Sequence, residues 1–290
     1  MKAITINADD FGMSQEINAG IKQGIEAGVL TSVSIMTNMP FFEDAVRFLK
    51  KHPEIYVGLH FNITEGTPVS PLNKVGLLLR EDNHFFSWVL IASRLFISVH
   101  AVKDIQTELL AQYEKLEKTG LKISHIDSHH HIHLHSRIFP IVISLAKRKG
   151  VKALRCRRFN IWNITNGIKI IPNLKQMIIL SLCLYNNIRY RQYKELFSTD
   201  ALYDLNWDNC ISEKKLLSIF NHLPDGITGI ICHPATMSKT GNKMFLTPRF
   251  HCLQLMLKPS IRKKILEYKL TKEMNIQRDQ FLQQVILSSQ

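Results

Sequence analysis

Several ordinary signals are missing from this chain of 290 residues. Its five cysteines (Cys156, Cys183, Cys210, Cys232 and Cys252) are odd in number, scattered, and never spaced as a Cys-x-x-Cys pair. That argues against a disulfide framework and a cysteine-built zinc site, and it suits a reducing compartment. No apolar run reaches the roughly 20 residues of a membrane-spanning helix. The nearest, residues 85–99, is interrupted by Arg94. A secretory leader is not expected, because Met1 is followed almost at once by the strand-like Ala3-Ile4-Thr5-Ile6. The expected location is therefore cytoplasmic. There is no internal repeat and no clear linker, so one domain over 1–290 is expected, with a 45% apolar fraction that suffices for a substantial core.

Acidic side chains are also scarce. Lys and Arg number 37 against 24 Asp and Glu, a formal charge of +13. Between positions 151 and 194 there are nine Lys or Arg and no acid at all. Such a segment attracts phosphate groups, nucleic acid or an anionic membrane surface, and the plain alternative is a solvated basic face. No nucleic-acid-binding motif accompanies it, so no nucleic-acid partner is expected. A membrane contact through 151–194 would make the protein peripheral to the inner membrane face.

What the chain does have is histidine in one place. Residues 122–135 hold His125, His129, His130, His131, His133, His135 and Asp127. In a strand alternate side chains face one way, so His125, Asp127 and His129 would line one face. Ser136 and Pro140 look like the start of a helix, which puts His129 near the strand's end and the later histidines in a loop. Neutral imidazoles beside carboxylates point to a divalent metal site. A fortuitous His-rich loop is the bland alternative.

The rest of the chain alternates strand and helix. Strands are expected at 2–8, 33–36, 55–62, 151–156 and 227–232. Helices are expected at 14–28, with Ser14 as cap, at 42–51, 85–99, 104–118 and 136–149, the last closed by Gly150, and from Ser212 to 222. The pattern predicts parallel βαβ units. Periodicity weakens over 159–208, which reads as a basic insertion or lid, and helices follow Pro259 over 259–290. Asp9-Asp10, His60, the His125/Asp127/His129 group and His233 each follow a predicted strand. In a closed parallel barrel all such ends meet at one face, where active sites lie. A lone Asp there is usually a helix cap and a lone His a packed residue; four loci repeating the placement argue otherwise.

Asn7-Ala8-Asp9-Asp10-Phe11-Gly12, Gly58-Leu59-His60, His125-Ile126-Asp127-Ser128-His129 and Cys232-His233-Pro234 together resemble the YdjC-like carbohydrate deacetylase family, which includes chitooligosaccharide deacetylases. The resemblance runs in order from residue 3 to about residue 235. It implies a distorted (β/α) barrel similar to that of the NodB-type polysaccharide deacetylases, an α/β fold. It also implies Mg²⁺ or Zn²⁺ as cofactor, removal of an N-acetyl group from an amino sugar, and a homodimer. Carried onto this chain, the metal ligands are Asp10, His60 and His129. Asp9 matches the catalytic base and His233 the general acid, while Arg155 would hold substrate. On residue chemistry alone, Asp127 either orients a ligating imidazole, with His125 beside it in support, or makes a structural hydrogen bond in the barrel, and His131 competes with His129 because it shares parity. The basic segment departs from the family pattern and leaves the sugar open, whether oligosaccharide, nucleotide-linked or lipid-linked. One carboxylate with two imidazoles also suits phosphoester hydrolysis or non-haem iron oxygenation, and a sugar- or lipid-binding barrel without catalysis is a further alternative.

Overall fold

The expected alternation of short apolar strands with amphipathic helices packs as a parallel sheet sheathed by helices. The computed structural model describes residues 2–157, 174–205, 212–239 and 241–268. The strands are β1 (Lys2–Phe11), β2 (Ser32–Ile35), β3 (Tyr56–Phe61), β4 (Ile123–Ser128), β5 (Ala153–Arg157), β6 (Phe197–Thr199), β7 (Ala201–Asp204) and β8 (Gly226–Cys232). The helices are α1 (Gln15–Glu26), α2 (Phe42–Leu49), α3 (Trp88–Ile97), α4 (Val99–Glu117), α5 (Phe139–Lys149), α6 (Leu174–Arg189), α7 (Glu213–Asn221), α8 (Lys243–Leu257) and α9 (Pro259–Tyr268).

Strand order is β6-β5-β4-β3-β2-β1-β8-β7. β6 and β7 stand at opposite ends of that order, yet only Asp200 separates them in the chain. β6 pairs with β5 and β7 with β8, both in parallel. Asp200 N–H also donates to Ile227 O at 2.9 Å. The run 197–204 therefore joins both edges, and the eight strands curl into a barrel of seven staves, the last shared between two neighbours. Closure removes the exposed edges of an open sheet. Ile4, Ile6, Ala8, Leu59, Phe61, Ile126 and Leu154 are buried with the inward faces of α1, α2, α4 and α5 in one core. Each large side chain so buried contributes about 1.5–3 kcal/mol.

Local signals placed several boundaries well. The Ser14 hydroxyl accepts from Ile17 N at the start of α1. Ser212 does the same for Lys215 N at α7. Gly150 closes α5 in the left-handed region. The differences are informative. β1 runs on through Asp9 and Asp10, and α4 begins at Val99, where Ser98 caps it by accepting from Ala101 N. α8 was not expected; Pro248 lies inside it and removes an internal donor. The region read as an insertion, 159–208, contains the barrel's closing stave. Its parts at 159–173 and 206–208, like the tail at 269–290, lie outside the described residues. Among the described residues no helix is long and apolar enough to cross a membrane.

Candidate metal centre and active site

The candidate residues meet at the carboxyl ends of the strands. Asp9 and Asp10 lie near the end of β1, where the register against β2 shifts between Ala8 and Phe11. This bulge holds Asp10 at φ 67°, a left-handed conformation that costs a non-glycine residue about 1–3 kcal/mol. In a regular strand neighbours point to opposite faces; the extra residue re-aims one of them. Both carboxylates are consequently buried in the same polar cluster.

Asp10 is the hub of one half. Its Oδ1 lies 3.2 Å from His60 Nε2 and 2.9 Å from His129 Nδ1. Its Oδ2 accepts from Arg249 Nη2 at 2.7 Å. Burial alone would raise the Asp10 pKa, but the charges of His129 and Arg249 and the histidine hydrogen bonds hold it well below the usual carboxylate range. His60 is pinned from behind: its Nδ1 donates to Asp127 Oδ1 at 2.6 Å. Burial opposes the His60 charge, yet Asp127, Asp9 and the hydrogen bonds to Asp10 and Asp127 raise its pKa to about 10. The pairing follows from register, because His60 and Asp127 are direct neighbours on β3 and β4.

Asp9 is the hub of the other half. Arg155 from β5 grips it bidentately, Nη1 to Oδ2 at 2.6 Å and Nη2 to Oδ1 at 2.7 Å. Asn7 Nδ2 donates to Oδ1 at 2.7 Å. Arg155 also ion-pairs with Asp127 Oδ2. Burial opposes the Arg155 charge, but Asp127 and Asp9 push its pKa above the ordinary value. Burial likewise works against the Asp127 anion; Arg155 and His60 override it and hold the carboxyl far below normal. Where substrate contact was expected of Arg155, only 6% of the residue is exposed and its guanidinium is turned onto these acids. His233, just after β8, brings Nε2 to 3.8 Å from Asp9 Oδ2, and its Nδ1 lies 3.9 Å from Asp204 Oδ1. Burial lowers the His233 pKa, with the Asp204 charge opposing.

His125 supports this framework across a gap. Ser34, Gly58 and His125 stand side by side on β2, β3 and β4. Because Gly58 has no side chain, the His125 ring spans its position and reaches Ser34 Oγ at 3.1 Å. A Cβ at Gly58 would lie 2.2 Å from His125 Nε2. Ser34 in turn donates to Asp127 Oδ2 at 2.6 Å. Burial keeps His125 neutral, with its pKa lowered to about 4.

The strand ends at Ser128, so His129, expected near the strand's end, opens the turn that follows. His129–Leu134 forms a 3-10 turn in which His130 and His131 are both left-handed, φ 53° and 56°. His133 folds back: its Nε2–H donates to Arg155 O at 2.8 Å, and its Nδ1 accepts from the Ser128 hydroxyl at 2.6 Å. Burial lowers its pKa to about 4.

Ligand-capable atoms of Asp10, His60 and His129 lie within 4.8 Å of one another, all in buried residues. Ligands about 2.0–2.2 Å from an ion are separated by roughly 3.0–3.5 Å, so the 3.2 and 2.9 Å contacts fit a shared cation. The carboxylate behind His60 is the usual support of a ligating imidazole. Asp9, His60 and Asp127 also cluster, but Arg155 and the His60 hydrogen bond already engage their facing atoms. Glu65, His129 and His130 form a third, partly exposed group. Among the described residues His131 joins none of them. Arg249 was missed, since a single Arg in a helical tail carries no local signature. Asp204 has no local signature either, because its four-residue strand is too short for alternation to show.

A closed parallel barrel with an Asp-His-His cluster and an arginine-held second carboxylate at its carboxyl mouth is an α/β barrel equipped to hold a divalent cation. The sequence model of the YdjC-like protein family matches residues 3–287, and the chain belongs to that family. It is 32% identical over 233 residues to a carbohydrate deacetylase of Geobacillus stearothermophilus, covering 79% of this chain and 78% of the relative. A carbohydrate deacetylase of Brevibacillus brevis is 41% identical over 156 residues, 52% of this chain and 58% of the relative. A chitooligosaccharide deacetylase of Escherichia fergusonii is 29% identical over 271 residues, covering 92% and 95%. The fold is similar to a crystal structure from Enterococcus faecalis V583, described as a candidate cellobiose-phosphate cleavage protein, with TM-score 0.72, 22% identity and coverage of 92% and 95%.

Proposed function

We propose that this protein is a metal-dependent carbohydrate deacetylase that hydrolyses the N-acetyl group of an amino sugar. The observation that carries the reading is the convergence of Asp10, His60 and His129 beside an independently held carboxylate, Asp9, in a chain whose relatives are named deacetylases. A divalent cation, Mg²⁺ or Zn²⁺, held by those three side chains would supply Lewis acidity to the acetyl carbonyl and to the attacking water.

The chain's own groups handle the protons. Asp9 accepts a proton from water as the oxygen bonds to the carbonyl carbon. Arg155 and Asn7 hold the Asp9 carboxylate in place for that transfer. His233, as imidazolium, donates to the nitrogen as the carbon–nitrogen bond breaks, leaving a free amine and acetate. Burial weakens its hold on the proton, which makes the charged ring a stronger acid. Exchange with solvent water then returns the proton from Asp9 to His233 and restores both groups. Each such positioned transfer is worth roughly 10²–10⁴-fold in rate. Arg155 acts here by positioning Asp9 instead of binding sugar.

The test is acetate release from N-acetylglucosamine-containing oligosaccharides and nucleotide sugars by metal-loaded protein. Asp9→Asn and His60→Ala each abolish release if the reading is right, and activity surviving both would exclude this site. Intact metal binding with no turnover over the panel would leave a non-catalytic sugar-binding barrel, and tightly bound, redox-active iron would point to an oxygenase.

A further inference from the structure

The turn that carries His129 is flanked by two helices, α3 and α6, both packed against it. Asn186 of α6 is buried, and its Nδ2 donates to Leu134 O at 2.9 Å, which fixes the helix beside the mouth of the site. The inward face of α6 also buries Cys183. Its opposite face carries Met177, Ile178, Leu184, Tyr185 and Ile188, exposed from 39% at Leu184 to 68% at Ile188. Their spacing of one, six, one and three residues places them on a single helical stripe. On the other side of the turn α3 exposes Trp88, Val89 and Leu90. The Trp88 ring lies 6.5 Å from that of His130, which itself lies 4.1 Å from His129. Eight large apolar side chains exposed on the two helices that pack on this turn exceed the scattered exposure normal on a soluble surface.

We infer that α6 and α3 form an apolar collar that docks on an anionic lipid surface, bringing the mouth of the barrel against the bilayer. The charge agrees with the choice. α6 carries no Asp or Glu, Arg189 and Arg191 stand exposed at its carboxyl end, and the whole segment 151–194 is basic. Apolar side chains on one helix face with flanking arginines make an interfacial anchor whose binding adds buried apolar area to attraction for anionic headgroups. Resting on the deacetylase reading, this orientation selects an amino sugar carried on a lipid as the substrate class. The docking itself stands without that reading.

The experiment is sedimentation of the full-length protein with vesicles of phosphatidylcholine alone and of phosphatidylcholine with one quarter phosphatidylglycerol. The expected result is binding to the anionic vesicles, weakened by added salt, and at least tenfold weaker binding of the Met177→Asp/Ile188→Asp double variant. Both positions are exposed and outside the catalytic cluster, so thermal unfolding, metal content and acetate release from a soluble acetylated oligosaccharide stay at the parent level. Failure of the parent protein to bind anionic vesicles at low salt overturns the proposal. So does equal binding by the double variant. If the double variant instead turns a dimer into a monomer and neither form binds vesicles, a second copy covers the collar and the proposal fails. Loss of acetate release in the parent protein with vesicle binding intact would count against the deacetylase reading alone.

Discussion

Replacing Arg155 by Met tests the electrostatic design of the site most directly. The guanidinium satisfies both oxygens of Asp9, at 2.6 and 2.7 Å, and pairs with Asp127. It is the largest of the favourable influences that hold the Asp127 carboxyl down against burial. Methionine fills similar volume, leaves Asp9 without its bidentate cation and leaves Asp127 with His60 alone. Removing one partner of a buried ion pair costs about 3–5 kcal/mol. At about 2–3 °C per kcal/mol for a chain of this size, the melting temperature should fall by roughly 6–15 °C at neutral pH. The loss should depend on pH in a defined direction. Asp127 has a folded pKa below its unfolded value, so its stabilising share is complete above about pH 4 and fades as pH falls further. The parent protein therefore loses its advantage over the variant in acid. Asp9→Asn in the Arg155→Met background should recover part of the loss, because it removes one orphaned charge, and the double-mutant cycle measures the coupling. Urea unfolding at pH 7 and at about pH 3, below the unfolded carboxylate value, with calorimetric melting, supplies the numbers. A melting shift below about 2 °C at neutral pH, or no coupling to Asp9, would refute the reasoning.

Other substitutions probe neighbouring parts. Arg249→Gln removes the donor that holds Asp10 Oδ2 at 2.7 Å, and metal affinity should fall about 10–100-fold in chelator competition while the fold persists. Gly58→Ala forces a Cβ to within 2.2 Å of His125 Nε2; the displaced ring should lower stability by about 1–3 kcal/mol in denaturant unfolding. His133 is held neutral with a pKa lowered to about 4, so between its unfolded value near 6.5 and that figure the unfolded chain binds the extra proton. Stability should fall as pH falls through this window by up to about 3 kcal/mol from this residue, and His133→Gln should remove that share of the acid sensitivity.

Much of the site was readable because its chemistry is local. Asp9-Asp10, His60 and His129 follow apolar runs whose strand character is evident, and a parallel barrel gathers such ends at one mouth. Caps such as Ser14, Ser212 and Gly150 act over a few residues, so they too show in the sequence. The closing stave did not. β6 and β7 are each at most four residues long, too short for periodicity to register, and they are strands because β5 and β8 offer them open edges. Arg249 sits beside Pro248 in a helix that its own sequence argues against. Nothing near it in the chain says that it meets Asp10, 239 positions away.

The sequence by itself determined which side chains could bind a cation, the order of most of the strands and helices, and the basic stretch with its apolar interruptions. These follow from residue type, period and charge, which are properties of short segments. Only the tertiary structure decided that Asp9 and Asp10 serve different partners, that Arg155 faces inward onto carboxylates, and that His125 spans a glycine to reach Ser34. Those outcomes depend on strand register, a bulge and barrel closure. They are set by the packing of elements far apart in the chain, so no local window contains them.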